Sequence, residues 1–147
     1  MVIDINKLTK AGKFVSEFSC EKVFDENLVD LPNASIKGGV KVCGTVTIES
    51  KKIYIDGYVE YTVAGECSRC LEPAEHKTVQ PLNIRFVQSS PEEDDYLYKS
   101  GLVDLTQAVR DAVLESMPFA IHCKEDCKGL CPICGCNLNV KSCNCEK

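Results

Sequence analysis

The chain has 147 residues, a formal net charge of −5 and no tryptophan, a size that fits one domain or one domain with an appendage. Its acidic balance argues against wholesale electrostatic binding to nucleic acid, although it permits a local contact and suits a basic protein partner. The N-terminal residues lack the apolar segment of a signal peptide, and no stretch is long enough to span a membrane. We therefore expect a cytoplasmic protein that does not contact a membrane.

The first half of the chain predicts an antiparallel sheet. A short helical turn is predicted at residues 4–10, and residues 14–20 predict a strand whose inner face carries phenylalanines. Two long runs of alternating apolar and polar residues, 40–49 and 53–63, flank a short polar turn and predict a hairpin. Within the second run, Gly57 predicts a bulge or a close approach of two backbones.

A fourth strand is predicted at residues 82–86, and a mobile acidic loop follows at residues 88–100. Asp104 then predicts a helix N-cap, with Gln107 placed as in a capping box, and apolar residues at helical spacing continue until Pro118.

These elements predict an α+β domain over residues 1–120, in which an antiparallel sheet of about four strands is packed by one main C-terminal helix. Residues 121–147 predict a cysteine-rich, zinc-binding tail that resembles a zinc ribbon and packs on this domain.

The tail contains seven of the chain's eleven cysteines, separated by Gly, Asn, Lys and Pro. Such a segment buries too little apolar surface to offset its ordering entropy, and in a reducing compartment closely spaced cysteines favour metal over disulfides. A structural zinc ion takes four ligands in a tetrahedron. One site is predicted at Cys131, Cys134, Cys143 and Cys145, where the glycine after Cys134 permits a positive φ.

The remaining closely spaced cysteines predict a second zinc site. It would join the turn after the second hairpin strand to the start of the tail, through Cys67, Cys70, Cys123 and Cys127. Other partitions of these eight cysteines are compatible with their spacing. Cys136 could replace a neighbouring ligand, and His122 is an alternative ligand, although a solvated histidine is the simpler interpretation. Cys20 and Cys43 lie within strand patterns and are predicted as small core or sheet residues.

No catalytic constellation accompanies these cysteines in the sequence. A catalytic zinc keeps an open position and usually has histidine or carboxylate ligands, whereas the chain contains only His76 and His122. Neither Cys-x-x-Cys pair opens a helix of a βαβ unit, as a thioredoxin-like motif does. We therefore expect no enzyme activity.

Taken together, the motifs resemble a known family. They are Cys67-x-Arg69-Cys70-Leu-x-Pro73, the helix opened by Asp104-Leu105, its Met117-Pro118 stop, and Cys127-Lys-Gly-Leu-Cys-Pro-x-Cys-Gly-x-Asn-Leu-Asn. In combination they resemble the YceD family, the large ribosomal RNA subunit accumulation proteins, in the cysteine-rich form of Gram-positive-type bacteria. The resemblance implies a cytosolic bacterial protein that supports large-subunit ribosomal RNA accumulation without an established enzyme activity.

We interpret the chain as a non-enzymatic ribosome-assembly factor that holds one or two structural zinc ions. It would bind pre-ribosomal RNA or a large-subunit ribosomal protein, and no small-molecule substrate. The candidate binding residues are Arg69 and Lys128, which flank predicted ligands, although Arg69 is equally an arginine that caps its turn. Two other classes stay open: a zinc-ribbon protein acting directly on RNA, which strong salt-sensitive affinity would favour, and a thiol-redox protein, which disulfide exchange would support.

Overall fold

The computed structural model describes residues 1–146, which contain eight strands, two α-helices and one 3₁₀ turn. In chain order they are β1 (Val2–Asp4), α1 (Ile5–Lys10), β2 (Val15–Lys22), the 3₁₀ turn (Glu26–Leu28), β3 (Ser35–Ile36), β4 (Val40–Glu49), β5 (Lys52–Glu66), β6 (Pro73–Val87), β7 (Asp95–Leu97), β8 (Leu102–Asp104) and α2 (Thr106–Ser116).

The main sheet has six strands in the order β2-β4-β5-β6-β7, with β3 also paired to β5. All of its pairs are antiparallel except β6 with β7, and β1 and β8 form a separate antiparallel pair. The hairpin of β4 and β5 closes at Glu49 and Lys52, and the hairpin of β5 and β6 closes at Glu66 and Pro73. The predicted α+β class with a mostly antiparallel sheet is confirmed.

The hydrophobic core lies on one face of this sheet because side chains alternate along each strand. The buried residues of β4 and β5 are Val40, Val42, Val46, Ile48, Ile53, Ile55, Val59, Tyr61 and Val63. Four residues of α2, Ala108, Val109, Ala112 and Val113, belong to the same buried cluster. The Tyr61 hydroxyl donates to the Val113 carbonyl at 3.3 Å, which joins β5 directly to α2.

Two glycines allow β4 and β5 to approach closely at one point. Gly44 and Gly57 are cross-strand neighbours. A Cβ on Gly57 would run into the Cys43 carbonyl oxygen and would lie 2.7 Å from the Gly44 Cα. The close backbone approach predicted at Gly57 is therefore confirmed.

The loop predicted at residues 88–100 was wrong for part of the segment, although residues 88–94 form no helix or strand. Its residues Asp95–Leu97 form β7, parallel to the end of β6. Arg85 of β6 donates to both carboxylate oxygens of Asp95, at 2.7 and 2.8 Å, and to Glu92 at 2.6 Å. The segment is ordered by an arginine in another element, a contact that local composition does not reveal.

Strand β6 is longer than predicted, because it begins at Pro73 and contains Pro81 in its middle. Proline lacks the N–H that a central strand needs. It is tolerated here because β7 pairs only with Arg85–Val87, which leaves β6 as an edge strand at Pro81.

The start of α2 also differs from the predicted capping box. The N-cap is Leu105, whose carbonyl accepts from the Val109 N–H at 2.9 Å, so the N-cap predicted at Asp104 was wrong. The Asp104 carboxylate lies one residue earlier and accepts from the Thr106 N–H at 2.9 Å. The Gln107 side chain instead donates to Asp111 at 2.7 Å. Asp104 belongs to β8 and pairs with Val2, so its backbone forms part of a strand ladder.

No helix within residues 1–146 is long and apolar enough to cross a membrane.

The domain boundary placed at residue 120 stays a prediction. Ile121, the first residue of the tail, is buried in the core cluster, and its carbonyl accepts from the Ser68 N–H at 2.8 Å.

Two candidate metal centres

The first candidate centre lies where the end of β5 meets the tail. After Glu66 the chain turns sharply: the Leu71 N–H donates to the Cys67 carbonyl at 2.9 Å, and the Cys67 N–H to the Glu72 carbonyl at 2.8 Å. This turn presents two thiols to the first two cysteines of the tail. The group is Cys67, Cys70, Cys123 and Cys127, whose sulfurs lie within 4.8 Å of one another.

The sulfur spacing in this group fits a tetrahedral ion. The Cys67 and Cys127 sulfurs are 3.8 Å apart, and those of Cys70 and Cys123 are 3.5 Å apart. A zinc–sulfur bond of about 2.3 Å implies sulfur–sulfur edges of roughly 3.8 Å in a tetrahedron. In a disulfide the two sulfurs would lie only about 2.05 Å apart. The donors therefore fit zinc without a large rearrangement.

The second candidate centre is formed by the tail alone, from Cys131, Cys134, Cys143 and Cys145, again with sulfurs within 4.8 Å of one another. Gly135, directly after the second of these cysteines, has a φ of +72°, as predicted. Cys131 is buried, Cys134 is exposed, and Cys143 and Cys145 are half-buried. This centre is therefore more open than the first, in which only Cys123 is exposed.

The two Cys-x-x-Cys turns have the same backbone geometry. The Gly135 N–H donates to the Cys131 carbonyl at 2.9 Å, which repeats the bond from Leu71 to Cys67. At the position of Gly135, the first turn has Leu71 with a φ of +62°. An L-residue with a β-carbon adopts this left-handed conformation at a cost of about 1–2 kcal/mol, so the turn holds Leu71 in a strained backbone.

Arg69 ties the first turn to the tail. Its Nη1 donates to the carbonyls of Cys127 at 3.1 Å and Glu125 at 3.4 Å. Its own carbonyl accepts from the Leu130 N–H at 3.0 Å. The side chain is exposed and beside the cysteines, as a binding residue requires, but its Nη1 is already engaged by the tail backbone. Its role toward a partner stays a prediction.

Asn139 is a residue of the site that the sequence analysis did not single out. Its Nδ2 lies 3.3 Å from the Cys127 sulfur, and its Oδ1 accepts from the Lys128 N–H at 2.9 Å. Asn137 in turn accepts from the Asn139 backbone and side chain, both at 2.9 Å. The Asn-x-Asn pattern between the ligand pairs was the available signal. These asparagines form a polar, hydrogen-bonded segment that connects the second centre to Cys127, a candidate ligand of the first.

The surroundings stabilise some thiolates and disfavour others within each group. Burial favours the neutral thiol of Cys67, but backbone N–H groups of Cys123, Arg69 and Cys70 outweigh it and lower the pKa of Cys67 to about 6. Backbone N–H groups of Cys134 and Ile133 likewise lower the pKa of Cys131 to about 6.

Other thiols of the same two groups have raised pKa values. Cys123 is exposed as a residue, yet desolvation at the cluster and its neighbours Cys70 and Cys127 raise its pKa to about 12. The thiol of Cys134, followed by burial, raises the pKa of Cys145 to about 12. Four thiols in one group cannot all ionise together at neutral pH, and a bound cation relieves this repulsion.

The structure thus groups the eight cysteines into the same two sets of four that the spacing predicted, and both sets could bind a metal ion. Cys136 lies outside both sets, His76 and His122 are exposed, and Lys128 is exposed beside Cys127. Cys20 and Cys43 are half-buried in the sheet, where Ser19 Oγ lies 3.2 Å from the Cys43 sulfur. Metal binding by the eight thiols and the roles of Arg69 and Lys128 stay predictions.

Comparison with known proteins gives a family match. The family model described as "Large ribosomal RNA subunit accumulation protein YceD" matches residues 55–147, a span that contains both cysteine groups. The uncharacterized protein Rv2926c of Mycobacterium tuberculosis is 32% identical over 144 residues, which cover 92% of this chain and 69% of that protein. The uncharacterized protein YlbN of Bacillus subtilis is 26% identical over 126 residues, which cover 78% of this chain and 71% of that protein. No solved structure matches the chain.

Proposed function

Since this chain belongs to the YceD family, we propose that it supports large-subunit ribosomal RNA accumulation as a non-enzymatic ribosome-assembly factor. It would bind pre-ribosomal RNA or a large-subunit ribosomal protein in the cytoplasm. The observation that carries this proposal is the family-model match over residues 55–147, which includes every cysteine of the two candidate centres.

Zinc is the metal that we propose for both centres. The two sets of four thiols would hold two ions, each acting as a cross-link that orders the surrounding chain and requiring no chemical step. A four-thiolate set fills the tetrahedron of a zinc ion and leaves no position for a substrate. This donor chemistry supports a structural role, and hence a factor that acts by binding.

The surface that we propose for particle binding surrounds these centres. Its exposed basic residues are Arg69, Lys124, Lys128 and Lys141. A zinc ion with four thiolates carries a formal charge of −2, so these residues balance the charge of the centres as well as meeting a partner. Because the negative charge of the centres offsets these basic residues, a limited contact with a partner is favoured over general electrostatic attraction to RNA.

Direct action on RNA is the second candidate, and the three exposed lysines of the tail favour it. It predicts that purified, zinc-loaded protein binds large-subunit RNA with an affinity that falls steeply with salt, by a slope of roughly 0.7–0.9 for each phosphate contact. Weak binding with a flat salt dependence would leave a protein partner as the remaining interpretation.

The test is capture of the tagged protein from growing cells, with and without nuclease, together with depletion of the protein. We expect capture to enrich large-subunit RNA or its precursors, or a ribosomal protein that survives nuclease, and depletion to lower the large-subunit RNA relative to the small-subunit RNA. If neither RNA nor ribosomal protein is enriched and the RNA ratio is unchanged, the proposed function is wrong.

A further inference from the structure

The main sheet has two unlike faces. The inner face carries the core: Tyr61 contacts α2 there, and Phe18 and Val46 line one cavity with Leu8 of α1. The alternate residues of β2, β4, β5 and β6 form what we call the outer face. Across its centre, Ser19, Cys43, Tyr58 and Pro81 are successive cross-strand neighbours.

The centre of the outer face is apolar and exposed. Tyr58 of β5 is 44% exposed, Val79 of β6 is 55% exposed, and Pro81, the cross-strand neighbour of Tyr58, is also exposed. A patch with an aromatic centre and a charged rim has the composition of a protein interface.

The outer face also carries exposed carboxylates. Glu17, Glu21 and Asp56 are exposed on the face itself, and none of them makes an ion pair within the described residues. At one end of the face, Glu93 and Asp94 line a cavity of about 450 Å³ together with Tyr54 and Asn83. The basic residues of this face offset only part of the charge. Lys77 pairs with Glu60 at 3.2 Å, Arg85 pairs with Glu92 and Asp95, and Lys41 is the exposed cross-strand neighbour of Glu21.

We propose that the outer face docks a lysine- and arginine-rich segment of a protein partner. Unpaired carboxylates around an apolar centre attract such a segment and repel the phosphates of RNA. A second copy of this chain fits poorly, because a two-fold contact would place the same carboxylates opposite one another. This inference rests on the proposed function only for locating the partner in a pre-ribosomal particle.

A direct titration tests the charge complementarity. The probe is a synthetic peptide of alternating lysine and serine, and the face variant combines Glu17→Gln, Glu21→Gln and Asp56→Asn. The control variant combines Asp25→Asn, Asp30→Asn and Glu115→Gln, three exposed carboxylates elsewhere that change the net charge equally. We expect the face variant to weaken binding by about tenfold at low salt and the control variant by less than about twofold. Equal losses in both variants would overturn the proposal.

A photo-crosslinker in place of Tyr58 identifies the occupant in growing cells. We expect crosslinks to lysine- and arginine-rich protein segments, lost in the face variant and kept in the control variant. Crosslinks chiefly to RNA, or none while the protein still associates with large-subunit particles, would contradict this docking surface without touching the proposed function. If the wild-type protein does not associate with particles, the proposed function fails and the peptide titration alone decides this inference.

Discussion

Arg69 belongs to the turn that carries two of the candidate ligands, and its guanidinium donates to two carbonyls of the tail. Hydrogen bonds from a charged group to otherwise unpaired carbonyls stabilise a fold by about 1–3 kcal/mol. We therefore expect Arg69→Ala to lower the free energy of unfolding of the metal-loaded protein by about 1–2 kcal/mol in urea titrations. Lys128→Ala is the matched control, since the Lys128 ammonium makes no hydrogen bond or ion pair within residues 1–146. Full stability of Arg69→Ala, combined with loss of particle capture, would instead assign the side chain to partner binding.

Protonation of Asp95 at low pH should lower the stability of the fold. Hydrogen bonds from Arg85 and from the Glu92 backbone hold the pKa of Asp95 below its ordinary value of 3.8. A carboxylate with a depressed folded-state pKa contributes stability that is present above its unfolded pKa and is lost as the pH falls through the folded value.

We expect Asp95→Asn to be less stable than wild type at neutral pH, with a gap that closes below about pH 4. Urea titrations at several pH values measure this gap. Glu93→Gln, an exposed neighbour, should show almost no gap at any pH. A gap for Asp95→Asn that stays constant down to pH 3 would show that the loss does not come from the ionised carboxylate, and no gap at neutral pH would show that the Arg85 contact contributes little.

Among the elements, the β4–β5 hairpin depends on the paired glycines at its middle. Because a Cβ on Gly57 meets the backbone of Cys43 and Gly44, neither of which can rotate away, Gly57→Ala forces the strands apart. We expect a loss of about 1–3 kcal/mol in unfolding free energy, the usual range for overpacking. Gly39→Ala is the control, since its Cβ would meet only the exposed side chain of Glu21. Equal stability losses in the two variants would show that the close approach is not the cause.

The same hairpin was predictable from the sequence, whereas β7 and the full length of β6 were not. Period-two alternation at residues 40–63 reports burial on one face, which is a local property of each strand. The placement of β7 depends instead on Arg85 reaching Asp95 and Glu92 from a neighbouring strand. The spacing of the cysteines favoured the observed grouping but left other partitions open, and the grouping follows from the fold, which places the end of β5 beside the start of the tail. The hydrogen bond from Asn139 to Cys127 was not predictable, because it joins two segments that meet only after the tail folds.

At the scale of the whole molecule, the two candidate centres differ in how far solvent reaches them. The second centre is more exposed than the first, so a chelator would reach an ion bound there sooner. We expect two zinc ions per chain and release in two phases, measured with a coloured zinc chelator. Cys143→Ser should remove the fast phase, and Cys123→Ser should remove the slow phase. Cys43→Ser, outside both groups, should keep both phases, and single-phase release of both ions would contradict independent centres.

The first centre joins residues that the ribosome makes at different times. Cys70 and Cys123 are 53 positions apart, so at roughly 5–20 residues per second the second follows the first by roughly 3–10 s. During that interval β6, β7, β8 and α2 are synthesised, and Cys67 and Cys70 lack the other two cysteines of their group. The tail cysteines that complete the centre are made only after these elements. Any metal loading of the first centre would therefore follow the synthesis of the main sheet and α2, so the site that we propose to hold zinc forms only after the strands and the helix around it have been made.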